Sequence, residues 1–166
     1  MDSYPLESLL SVRHYREEEA AGQVREAEQR CREAEKRTEE LQKELHSFRI
    51  WRREEEDRRY DAIMDTAMNL EALERFKAGL AALAEQETKK QDGLLQAEKE
   101  REDCTARLTQ ARDRARLAQK ETAKIQAHKD IWSQEARKQA ERQEDLELEE
   151  FRPLSRKGAE AEGEDL

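Results

Sequence analysis

Proline stands at positions 5 and 153 and nowhere between. The chain can therefore run as helix over almost its whole length without losing a backbone donor. Over that stretch the apolar and small residues recur in steps of three and four. The first seam is Leu6, Leu10, Arg13, Glu17, Ala20, Val24, Ala27, Cys31, Ala34, Thr38, Leu41, Leu45 and Phe48. This heptad spacing belongs to a helix that packs along another helix. Arg13 and Glu17 are its weak members, and small residues fill its middle, so a close partner is expected there. Beyond Phe48 the same steps fall on Arg52, Glu55, Arg59 and Ala62, and an apolar set returns on a shifted register at Tyr60, Ile63 and Ala67. A change of register is expected at that point.

A second seam begins at Leu73. It passes through Phe76, Leu80, Leu83, Glu87, Lys90, Leu94, Ala97, Arg101, Cys104, Leu108, Ala111, Ala115, Ala118, Thr122, Ile125, Lys129, Trp132, Ala136, Gln139 and Gln143 to Leu146. Between the seams lies the segment 65–70, where Asn69 is the expected N-cap and Glu71 and Glu74 suit the first turns of the next helix. The spacing predicts an all-α fold, a long two-helix antiparallel coiled-coil hairpin. Its helices are expected at 6–64 and 71–150, with a turn at 65–70. Residues 1–150 then form the hairpin, and 151–166 a disordered acidic tail broken by Pro153, Gly158 and Gly163. A turn centred there makes facing residues sum to about 135. Leu41 then faces Leu94, Ala27 faces Leu108, Leu10 faces Ile125, and Cys31 faces Cys104. The rival arrangement is a dimer of continuous helices.

Composition agrees with long helices on a thin seam. Charged residues make up 44% of the 166, hydrophobic ones only 35%, too few for an ordinary globular core. A net charge of −9 argues against nucleic acid as a general partner. No apolar run approaches the roughly 20 residues of a membrane span, so direct membrane insertion is not expected. The first 16 residues lack a basic stretch followed by an apolar one, so no secretory signal peptide is expected. Two cysteines suit a reducing compartment.

No motif for catalysis, cofactor or metal stands out. There is no Gly-rich phosphate loop, CxxC pair or HExxH sequence, and His14, His46 and His128 fall at separate levels. A two-helix chain also has no pocket in which to shift a pKa, so an enzyme is not expected, nor a cofactor. Cys31 and Cys104 have two readings, a redox staple or a pair of small seam residues, and a reducing compartment favours the second. Phe48, Trp51, Tyr60 and Phe76 gather within about 20 residues of the turn. Trp51 is one step off the seam, so it is expected to be partly exposed, as an interface anchor would be. Trp132 is expected to pack against the leader Tyr4-Pro5-Leu6.

The stretch from Phe48 through Trp51-Arg52-Arg53-Glu54-Glu55 to Tyr60-Asp61 resembles the aromatic-x-x-Trp-Arg-x-x-Glu-Glu-x-x-x-aromatic pattern of the YscO/FliJ-like stalk proteins of type III secretion, in their YscO branch. Asn69-Leu70-Glu71-Ala72-Leu73-Glu74-Arg75-Phe76 is similar to the start of that branch's second helix. The leader from Tyr4 to Leu10, the block His128-Lys129-Asp130-Ile131-Trp132 and the Glu-rich end, Glu147 to Phe151, also match. The resemblance implies a protein shaped like the central stalk of a rotary ATPase, acting in the bacterial cytoplasm at the cytoplasmic face of the secretion apparatus. It implies two main partners, the hexameric secretion ATPase and the cytoplasmic domain of the export-gate protein, with export chaperones as further partners. The positions here that match the family's gate-binding residues are Phe48, Trp51, Phe76, Leu80 and Leu83. The open end, with both termini, would face the ATPase, and the chain in isolation is expected to be a monomer. The competing functions are a generic dimeric coiled coil serving as scaffold or spacer, and an ATP-independent chaperone or exported substrate.

Overall fold

The structure is a computed structural model that describes residues 2–161, with side chains to residue 152. It contains two helices in the described residues and no strand: α1, Glu7–Ile63, and α2, Leu70–Ala161. They form an antiparallel hairpin. Contacts divide the chain into two units, one made of residues 1–19 and 116–166 and the other of 20–115.

The connection is built without a positive-φ residue, which is why the sequence needs no glycine there. Thr66 closes the end of α1: its N–H donates to the Ile63 carbonyl at 3.2 Å and its hydroxyl to Ala62 at 3.1 Å. Asn69 then caps α2, its Oδ1 accepting from the Ala72 N–H at 2.9 Å while its carbonyl accepts the first helical bond from Leu73 at 3.1 Å. One of the donors orphaned at a helix start, that of Ala72, is satisfied in this way.

In the unit of residues 20–115, the seam positions from Ala20 to Phe48 and from Phe76 to Ala115 are buried or half-buried. Thr38 is its most enclosed large side chain, 1% exposed, with its hydroxyl donating to the Ala34 carbonyl at 2.9 Å. In the other unit, Tyr4, Leu10 and Thr122 are buried. The Thr122 hydroxyl contacts two carbonyls, Ala118 at 3.0 Å on its own helix and Arg13 at 3.3 Å across the pair. Threonine thus enters both seams because a neighbouring carbonyl takes its proton.

Cross-helix pairs share one register within each unit. Glu7 meets Lys129 at 2.9 Å and Arg13 meets Glu121; Tyr60 packs edge to face on Phe76, and Arg49 meets Glu87 at 3.0 Å. The members of each pair sum to about 135.

Three expectations need correction. The register does not shift directly after Phe48: Arg52, Glu55 and Arg59 are half-buried and continue the first seam, whereas Tyr60 is 50% exposed, and the change comes only beyond Arg59, where Ala62 is exposed and Ile63 half-buried. The aliphatic arms of the arginines line the seam while their heads reach carboxylates, so a charged position holds the place of an apolar one. The second seam is covered only as far as Trp132, and Ala136, Gln139, Gln143 and Leu146 are exposed. Periodicity reports a face, and here no residue of α1 lies across from it. Finally, α2 does not stop at 150 but continues through Pro153 to Ala161. Proline removes a single backbone donor, and the rest of the helical ladder can continue past it. Of the tail expected to be disordered, 162–166 lie outside the described residues.

Candidate partner-binding site

All five positions singled out in the sequence fall in the unit of residues 20–115. They do not stand alike. Trp51 is 42% exposed, Phe48, Phe76 and Leu80 are half-buried, and Leu83 is 4% exposed. Phe48 and Leu83 are seam positions on opposite helices, and Trp51, one step from the seam at Arg52, projects at its flank. The Phe48 and Trp51 rings, one helical turn apart, lie 5.5 Å between centroids at 39°. The Lys90 ammonium of α2 stands 5.4 Å from the Phe48 centroid. A cation over an aromatic face is held by the ring quadrupole, and it fixes Phe48 from the far helix. Nearer the turn, Tyr60 and Phe76 pack edge to face at 5.2 Å across the two helices.

Beside these rings runs a set of part-buried to exposed ion pairs that the seam pattern alone does not announce. Glu87 of α2 accepts from Arg49 at 3.0 Å and from Arg52, and Arg52 also donates to Glu56 at 2.8 Å. Glu56 first, and Glu87 after it, hold the Arg52 guanidinium in its charged form. Next along α1, Glu55 accepts from Arg58 at 2.7 Å and from Arg59 at 3.1 Å. Those hydrogen bonds, Arg58's before Arg59's, hold the Glu55 carboxyl below the usual carboxylate range. The signal for the cluster was present: the polar members of the two seams, Arg52 and Glu87, carry opposite charge and fall within one helical turn of facing each other. Because each charge has a partner, the seam accepts them without an apolar core.

The arrangement offers a partly apolar face on which Trp51 and, nearer the turn, Tyr60 are exposed. That suits the docking of a protein surface, since exposed aromatics held in place lose little side-chain freedom on binding. At the other unit, Tyr4 packs against Trp132 with centroids 5.6 Å apart, edge to face, and its hydroxyl is hydrogen-bonded to His128 Nδ1 at 2.6 Å. The leader is thereby held on α2, as the position of Trp132 predicts. From residue 133 to 152 every side chain of α2 is exposed.

Residues 6–153 match the protein family described as type III secretion protein YscO. Among solved structures, the chain is similar to type III secretion protein YscO from Vibrio parahaemolyticus. The identity is 26% and the TM-score 0.78, over 88% of this chain and 92% of that one. It is also similar to a YscO homologue from Chlamydia trachomatis, at 23% identity and TM-score 0.74, over 97% of this chain and 99% of that one. The second likeness, at its lower identity, is one of fold. No protein of curated function matches the chain.

Proposed function

This chain belongs to the YscO family of type III secretion proteins, and from that premise we propose that it is the non-enzymatic central stalk of a type III secretion system. In this reading it engages the hexameric secretion ATPase and couples it to the export gate, at the cytoplasmic face of the apparatus. Export chaperones are further partners. Of the five expected positions, Phe48, Trp51, Phe76 and Leu80 form the gate-binding face, and Leu83 supports it from within the seam. Trp51 supplies the exposed ring, Phe48 supports it, and the buried Leu83 holds the two helices together beneath. The observation that carries the reading is the exposed Trp51, held against the half-covered Phe48 ring. The leader and the α2 segment beyond Trp132 supply the contact with the ATPase.

A second reading, a dimeric coiled-coil spacer, is favoured by one observation, the uncovered heptad positions of α2 from Ala136 to Leu146. Sedimentation at micromolar concentration separates the two. A monomer that is pulled down by the cognate ATPase, and that binds the gate's cytoplasmic domain through Trp51, supports the stalk. A stable dimer that binds neither partner refutes it.

A further inference from the structure

Cys31 and Cys104 hold facing seam positions on α1 and α2 inside one unit, and both are half-buried free thiols. Cross-helix ion pairs on either side, Arg49 with Glu87 at 3.0 Å and Glu28 with Arg112 at 3.5 Å, set the two cysteines at one level of the seam. Two cysteines can be bridged only when their backbones approach and their side chains converge, and facing seam positions of an antiparallel pair meet both demands. A surface cleft opens beside Cys104 and does not include Cys31. Its charged lining is mixed, Arg30, Arg37 and Arg107 with Glu33, Glu100 and Asp103.

We propose that Cys31 and Cys104 form a reversible thiol–disulfide site, closed by exchange with a small zwitterionic peptide disulfide of the glutathione class that enters at Cys104. Such a molecule carries both carboxylates and ammonium groups, which the three guanidinium and three carboxylate groups of the cleft can pair. The Cys104 thiolate attacks one sulfur of the incoming disulfide. That S–S bond breaks, a mixed disulfide forms on Cys104, and the first peptide thiol leaves with the proton. The Cys31 thiolate then attacks the Cys104 sulfur, the mixed disulfide breaks, and the second peptide thiol leaves. Two protein thiols are oxidised and one small disulfide is reduced to two thiols.

The order follows from access. Cys104 lines the cleft, whereas burial first, and the neighbouring Cys104 thiol next, push the Cys31 thiol up and keep less of it ionised. Cys31 is therefore the resolving thiol, effective because its target is already beside it. The bridge would tie the two helices at one layer and close the chain between 31 and 104, the kind of long loop in which a cross-link most restricts the unfolded state. A hairpin so tied could not open within that unit, and the device would tighten it under disulfide stress and release it on reduction.

The test uses the reduced full-length chain, incubated with glutathione disulfide, quenched in acid and read by intact mass. The parent is expected to lose both free thiols and two hydrogens of mass, to retain no glutathione and to stay monomeric. Its melting temperature should rise by about 10 °C and return on treatment with a dithiol reductant. Cys31→Ser should trap glutathione on Cys104, and Cys104→Ser should react on Cys31 at least roughly tenfold more slowly. Circular dichroism verifies that both variants are helical, with Cys→Ala replacing any that is not. Parent chain that keeps its thiols, keeps the glutathione adduct, cross-links only between molecules or gains no thermal stability overturns the site. Faster modification of Cys31 than of Cys104 overturns the assigned order of attack.

Discussion

Trp51 and Phe48 stack 5.5 Å apart on one face of α1, and the pair divides its burial unequally: Phe48 is half covered, with Lys90 of α2 over its ring, and Trp51 is 42% exposed. In the proposed reading, packing falls to Phe48 and recognition to Trp51. Trp51→Ala is expected to lower the melting temperature only slightly, since a partly exposed side chain forfeits little burial. It should nonetheless weaken binding to the gate's cytoplasmic domain by about 2 kcal/mol, roughly thirtyfold. A titration by calorimetry decides this, and parental affinity in the variant would remove Trp51 from the site.

Leu83 sits on the other side of that division. At 4% exposure, truncation to Ala removes buried methyl groups and leaves a gap that two helices can only partly close. The expected loss is about 2 kcal/mol or somewhat more, seen as a lower urea midpoint. Gate binding, measured at a temperature where the variant is still helical, should hold close to the parental value.

Gly93 offers a gain. A Cβ built there meets nothing within 4 Å, so no packing in the hairpin requires glycine. Gly93→Ala should stabilise α2 by about 1 kcal/mol, through the backbone freedom that alanine removes. Gly79→Ala should gain less, because its Cβ would lie 3.0 Å from Arg59 Nη1 and the arginine must move. Paired thermal melts read the difference, and an unchanged midpoint in Gly93→Ala would contradict the prediction.

Asn69 fixes the start of α2 through its Oδ1 bond to the Ala72 N–H. Asn69→Ala should cost about 1 kcal/mol, and Asn69→Asp should retain most of the cap. Hydrogen exchange at Ala72 is the local readout: protection should fall in the Ala variant and persist in the Asp variant.

Acid should loosen the region around Glu55. Its carboxyl is held below the usual range by Arg58 and then Arg59. A group whose folded pKa is depressed contributes stability that is present above the unfolded value, about 4.3 for Glu. That contribution is lost as pH falls through the folded value. Glu55→Gln should therefore flatten part of the acid limb of a stability–pH curve and change little at neutral pH, where an exposed pair contributes modestly. An acid limb identical to that of the parent would show that Glu55 has no such linkage.

Much of this molecule could be read before any coordinate. Two seams in steps of three and four, with no proline between them to break a helix, leave the hairpin and the rival dimer of continuous helices as the arrangements to weigh. Asn69 announces the second helix because few residues besides Asn, Asp, Ser and Thr can accept from the free donors of a helix start. The partial exposure of Trp51 follows from its offset of one residue, which on a helix is a rotation of about 100°. Facing pairs such as Arg13 with Thr122 follow from the turn and the constant rise of two helices.

What tertiary structure decided is everything that depends on a neighbour. Arg52, Glu55 and Arg59 look like a break in the first seam, yet they continue it, because Glu87 and Glu56 lie within reach and the arginine arms are long enough to use them. Ala136 to Leu146 look like a seam, yet they are exposed, because no part of α1 is there to cover them. Leu73 and Leu83 carry equal weight in the second seam, and only the far helix makes Leu83 core, at 4% exposure, while Leu73 stays 37% exposed. A sequence records the periodicity of a face, since that is a property of one helix. Whether the face is covered, and whether a charge on it finds its partner, depends on distances between two helices.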